Sequence, residues 1–75
     1  NLQKKMKVAI VEDVVTTASS TIMAIEASEA NNLEVKEVIC LVDREEGGKE
    51  ILSKKGYHLK SLFTKTSLLE GRQSY

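Results

Sequence analysis

VAIVEDVVTTASS, residues 8–20, decides how this chain is read. Four apolar residues, Val8 to Val11, run into two adjacent carboxylates, Glu12 and Asp13. Val14 and Val15 follow, then five small residues, Thr16, Thr17, Ala18, Ser19 and Ser20, four of them hydroxylated. The short, β-branched, nearly unbroken run predicts a strand covered on both faces, as in a parallel sheet. Residues 13–19 then form a loop at its carboxyl end, and Ser19 or Ser20 caps the helix that follows. Along that helix, to about Ala30, Ile22, Met23, Ile25 and Ala30 are expected to share an apolar face. Asn31-Asn32 is its stop, because asparagine tolerates the left-handed conformation.

Further along, Val35 to Val42 predicts a second strand, and Asp43 to Gly48 a polar, glycine-containing loop. A short helix spans about Lys49 to Lys55, with Gly56 just past its end. Residues 57–63 alternate loosely and predict a third strand. Thr66 then caps a last helix from Ser67 to Glu70, ending at Gly71. The order β-α-β-α-β-α argues for an α/β fold with a parallel sheet and right-handed crossovers. Three strands leave two open edges, so the chain is expected to be part of a larger α/β domain and to pair with another chain or with the missing half of that domain.

Composition bounds the partners. The chain has 75 residues, and a domain of that size buries only ~60% of its unfolded surface. Eleven basic residues balance eleven acidic ones, and three aromatics are too few to stack on bases, which argues against nucleic acid. No apolar run approaches the ~18 residues of a membrane span, and no signal segment opens the chain. The single cysteine, Cys40, forms no internal disulfide and suits a reducing, cytoplasmic compartment, where it fills core space. His58 has no Cys or His partner at metal-ligand spacing, and no Ser/His/Asp set can be assembled.

Ligands of open α/β sheets bind beyond the carboxyl ends of the strands, where both polar clusters fall. Adjacent carboxylates repel and are acceptor-only groups. A ribose cis-diol offers them two donors, and Mg2+ is the other natural partner. A solvated strand end would explain the pair equally well. Small hydroxylated residues entering a helix present N–H and O–H groups to a phosphate, although they would also simply cap the helix. Together the clusters match a ribose 5-phosphate. Arg44 has the planar fork that grips a carboxylate, or it pairs at the surface with Glu45 or Glu46.

With these residues in view, VAIVEDVVTTASS resembles the phosphoribosyl pyrophosphate motif of type I phosphoribosyltransferases: hydrophobic strand, acidic pair, Thr/Gly/Ser-rich loop. LVDREEGGKEILSKKGYHLKSLFT, residues 41–64, is similar to the region typical of the orotate phosphoribosyltransferase family. The resemblance runs from about Lys7 to Leu69. It implies transfer of the phosphoribosyl group from phosphoribosyl pyrophosphate to orotate, with Mg2+, giving orotidine 5′-monophosphate and pyrophosphate in pyrimidine synthesis. It implies that Glu12 and Asp13 hold the ribose hydroxyls near the metal. Val14 to Ser20 (Val14, Val15, Thr16, Thr17, Ala18, Ser19, Ser20) would surround phosphoribosyl pyrophosphate, with Thr16 also beside orotate and Arg44 on the orotate carboxylate.

The family usually has glycine at the position of Ala18. Alanine in the left-handed region costs ~1–2 kcal/mol. Either the loop keeps a negative φ there or phosphate binding is weakened, with Ser19 and Ser20 compensating. Family members are also longer. Their hood, pyrophosphate loop and mobile lysine-rich loop have no counterpart here, so residues 1–75 correspond to the C-terminal half of the catalytic domain and carry none of its catalytic loop. The chain alone is expected not to turn over substrate. The family implies a homodimer, fused to orotidylate decarboxylase in many eukaryotes. Two other readings compete: a receiver-type signalling domain with Asp43 as phosphoacceptor, and a non-catalytic binding module of the same fold.

Overall fold

The computed structural model describes residues 5–73. Three strands and three helices alternate: β1 (Met6–Val15), α1 (Ser19–Ala30), β2 (Leu33–Asp43), α2 (Gly48–Lys54), β3 (Leu59–Thr64) and α3 (Lys65–Leu69). The sheet is wholly parallel in the order β1-β2-β3. The expected β-α-β-α-β-α order and parallel sheet are therefore both present.

Because each strand lies beside its predecessor in the same direction, both right-handed crossovers bring their helices to one face. The core sits there: Val35, Val38 and Cys40 of β2, Leu59 of β3, Ile25 of α1 and Leu52 of α2, with Val8 and Ile10 against them. Among the described residues nothing covers the opposite face, which corrects the expectation of a strand covered on both sides. Val11 is 74% exposed, and Leu41 and Leu62 are exposed beside it. The Lys60 ammonium crosses to Glu37 at 2.9 Å on this face.

A register shift places Val8 opposite Val35 but Ala9 opposite Glu37, so Lys36 is an extra residue in β2. The bulge reverses the alternation. It lets Val35 and Val38, three apart, both enter the core.

In α1 the buried residues are Thr21 and Ile25, with Ile22 half-buried, whereas Met23 is 68% exposed. At ~100° per residue Met23 and Ile25 point away from one another, so the expected four-residue apolar face does not form. Asn31 ends the helix and Asn32 takes φ 64°, as expected of the pair. Gly56, at φ 90°, follows α2 in the anticipated place. The helices start one or more residues from the expected caps. Ala18, not a serine, occupies the N-cap of α1. Thr64, not Thr66, caps α3: its Oγ1 accepts from Ser67 N at 3.0 Å while Ser67 Oγ accepts from Thr64 N at 2.7 Å.

Candidate functional site

β1 does not stop before the acidic pair. Val14 pairs with Val42 and Val15 with Asp43, and Arg44 N donates to Val15 O at 2.9 Å. Glu12 and Asp13 therefore lie inside the strand, and the loop shrinks to Thr16–Ala18. The carboxylates mimic a strand end in sequence, but the ladder offered by β2 continues past them.

Neighbouring strand residues point to opposite faces. Glu12 is aligned with buried Cys40, which puts it on the helix-covered side and Asp13 on the other. Among the described residues neither carboxylate has a hydrogen-bond or ion-pair partner. The Cys40 thiol is pushed up to about 11, first by burial and then by the Asp43 and Glu12 carboxylates. It stays protonated and unreactive at neutral pH.

The loop enters α1 through Ala18, at φ 69° and ψ 14°. Of the two possibilities left by the sequence, the left-handed one is realised. The Ala18 methyl is buried, Ile22 N closes the first helical bond on Ala18 O at 2.9 Å, and no side chain caps the first turn. The opening amides of α1 are thus left for a ligand. Thr16, Thr17, Ser19 and Ser20 are exposed around them, with the Thr17 and Ser19 hydroxyls 3.2 Å apart. Val15 and Ala18 are core residues, so only their backbone faces the site, while Val14 is half-exposed.

The DREEGG segment is fastened to this loop. Gly48 N donates to Thr16 O at 3.0 Å, next to the Arg44–Val15 bond. A Cβ on Gly48 would lie 2.6 Å from Thr16 O and 2.7 Å from Val15 Cγ1, so only glycine allows this approach. In the sequence, the doubled glycine is the one local signal of Gly48's role.

On the other side, Glu45 clamps α3. Its Oε1 accepts from Thr66 N at 2.8 Å and from Thr66 Oγ1 at 2.6 Å. Those bonds, the hydroxyl first and then the amide, hold the Glu45 carboxyl below its usual 4.5, and Lys60 does the same for Glu37. A depressed folded value stabilises above the unfolded pKa, and the contribution is lost as pH falls through the folded one. The melting temperature followed by circular dichroism should therefore drop below about pH 4.5. Glu45→Gln, which keeps an acceptor oxygen, should drop less; an unchanged slope would remove Glu45 from the acid response.

Arg44 leaves the end of β2 with its side chain about half exposed, and its Nε lies 3.5 Å from Glu46 Oε2. This is the surface pairing that sequence left open, and it leaves the two terminal nitrogens of the fork available. Asp43 is 4% exposed, and its Oδ1 accepts from Glu45 N at 2.9 Å. A phosphoacceptor needs an open carboxylate, so the receiver reading loses its residue. His58 is exposed, while the Tyr57 hydroxyl donates to Glu29 and ties the chain before β3 to α1.

Among the described residues no three His, Cys, Asp or Glu side chains converge to hold a metal ion. The unpartnered oxygens of Glu12 and Asp13 nevertheless suit Mg2+, which binds through one or two carboxylates plus substrate phosphates. No helix among the described residues is long and apolar enough to cross a membrane.

No family model matches the chain. Its curated relatives include an orotate phosphoribosyltransferase from Methanocella arvoryzae, 48% identical over 67 residues, covering 89% of this chain and 38% of the relative. A hypoxanthine/guanine phosphoribosyltransferase from Methanocaldococcus jannaschii is 35% identical over 71 residues, covering 95% of this chain and 38% of the relative. Among solved structures, an orotate phosphoribosyltransferase from Aeropyrum pernix superposes with a TM-score of 0.84 at 39% identity, over 89% of this chain and 40% of that one. One from Mycobacterium tuberculosis, in complex with phosphoribosyl pyrophosphate, gives 0.77 at 32% identity, over 80% of this chain and 36% of that one. The chain thus spans less than half the length of the proteins it matches.

Proposed function

We propose that this chain, related in sequence and fold to the orotate phosphoribosyltransferases, forms the ribose-phosphate and base-carboxylate part of such an enzyme's site. The activity is transfer of phosphoribosyl from phosphoribosyl pyrophosphate to orotate, in cytoplasmic pyrimidine synthesis. One observation carries the reading. The Arg44–Val15 and Gly48–Thr16 backbone bonds join the hydroxyl loop and the DREEGG loop into one surface at the strands' carboxyl ends.

Each group then has a task. Thr16, Thr17, Ser19 and Ser20, with the uncapped first turn of α1, hold the 5-phosphate. Glu12 and Asp13, set on opposite faces of β1, accept from separate ribose hydroxyls rather than chelating one. Arg44 fixes the orotate carboxylate, so that the ring nitrogen is aimed at the anomeric carbon. Mg2+, held beside the acidic pair with the pyrophosphate, would supply charge neutralisation for the leaving group. The catalytic loop belongs to the remainder of the enzyme, which would act as a homodimer; among the described residues the bare sheet face and the unpaired edge of β1 support packing against further chain.

The test places this chain in the Methanocella relative in exchange for the matching 67 residues. Asp13→Asn and Arg44→Ala should each lower kcat/KM for orotate about 100-fold, the order expected for losing a preorganised charged contact. Near-normal values in both would sink the assignment. The Methanocaldococcus relative favours a second reading, a purine base in the same place. Turnover with hypoxanthine but not orotate would select it.

A further inference from the structure

Beyond the hydroxyl loop, the strand ends carry a recess of about 270 Å3 lined by Val42, Arg44, Lys65, Leu68 and Leu69. Asp43 pairs with Thr64 across neighbouring parallel strands, and the residues that follow them, Arg44 beyond β2 and Lys65 at the start of α3, both line this recess. Two cations therefore share the rim of an otherwise apolar hollow.

Neither cation is fully committed there. The Arg44 fork meets Glu46 only through Nε, at 3.5 Å. Lys65 makes no ion pair among the described residues. The nearby carboxylate that feels Lys65 is Glu45, and its Oε1 is already committed to the amide and hydroxyl of Thr66. Leu68 and Leu69, 49% and 80% exposed, are large apolar side chains that the fold itself does not use. Paired cations above an apolar wall fit a flat, weakly hydrated ring bearing an anionic group at its edge.

We propose that Lys65 is a specificity-determining residue: with Arg44 it forms a two-cation clamp on the carboxylate of the base, while Leu68 and Leu69 cover the ring. The inference rests on the reading of the site given above and adds to it a contact that no resemblance supplied. Arg44 contributes the oriented fork and Lys65 a mobile point charge. The clamp favours a carboxylated pyrimidine over the same ring without the carboxylate.

Amide spectra of this chain set in the Methanocella relative in exchange for the matching residues, titrated separately with orotate, uracil and phosphoribosyl pyrophosphate with Mg2+, test this. Orotate should move the signals of Arg44, Lys65 and Leu68. Lys65→Met should weaken orotate about tenfold or more, as expected for a lost charge-assisted contact. Lys65→Arg should recover most of that affinity. Uracil binding, and the response of Thr16 to Ser20 to phosphoribosyl pyrophosphate, should be the same in Lys65→Met as in the parent. Orotate binding undiminished in Lys65→Met overturns the clamp alone. A parent chain that answers phosphoribosyl pyrophosphate but not orotate also overturns it and leaves the phosphoribosyl site standing. A response to neither overturns the proposed function together with the clamp.

Discussion

Gly48→Ala should cost the chain about 2–3 kcal/mol and unseat the hydroxyl loop, the upper range for forcing an extra carbon into a packed site. The new methyl would sit 2.6 Å from Thr16 O and 2.7 Å from Val15 Cγ1, and it meets the Ala18 Cβ at 3.3 Å. The first of these is backbone that accepts the Gly48 amide, so it has little room to yield without losing that bond. Relief requires α2 to back away from the end of β1, carrying the DREEGG loop with it. Stability and ligand binding should therefore fall together. Urea melts should show the loss, and the amide signals of Val15 and Thr16 should shift most. Gly47→Ala is the control. Nothing lies within 4 Å of its Cβ, and its φ of 98° makes the penalty purely conformational, ~1–2 kcal/mol with the loop in place. Equal loop displacement in both variants would refute the steric account.

Leu52→Ala should have the largest effect on stability, about 2–5 kcal/mol. Leu52 is fully buried and is the residue by which α2 enters the core. Its carbonyl also receives Tyr57 N at 2.9 Å, so a collapse around the missing side chain disturbs the chain leading into β3. A domain of this size has a total stability of only ~4–11 kcal/mol. The substitution thus removes a large fraction of it, and the urea midpoint should fall steeply. Leu69→Ala, at a side chain 80% exposed, should move the midpoint little. Comparable shifts in the two would mean that the core is not where the structure places it.

Element order, and the placing of both polar clusters at the strands' carboxyl ends, were legible because they rest on local signals. Val8 to Val11, the Asn31-Asn32 stop and Gly56 after Lys55 each declare themselves within a few residues. What was misread depends on partners distant in sequence. Val14 and Val15 join β1 because Val42 and Asp43 present a ladder to them, which nothing in EDVV announces. The bare face follows from strand order, and Val35 and Val38 share the core only through the bulge at Lys36. Gly48 is required by Thr16 O, more than thirty positions earlier, and Lys65 meets Arg44 at one recess only in the folded chain. Thr66 had the composition of a cap but is taken by Glu45, leaving Thr64 to do the capping.

The left-handed Ala18 has a consequence for the thermodynamics of ligand capture. A glycine at this turn would sample both signs of φ, and binding would have to quench that freedom. Alanine rarely visits the left-handed basin when unconstrained, so the burial of its methyl against the α2 side is what keeps it there. The conformational cost is therefore met on folding, before any phosphate arrives. On the proposed function, less ordering entropy would be left to be lost on association, and the loop would meet a phosphate already shaped.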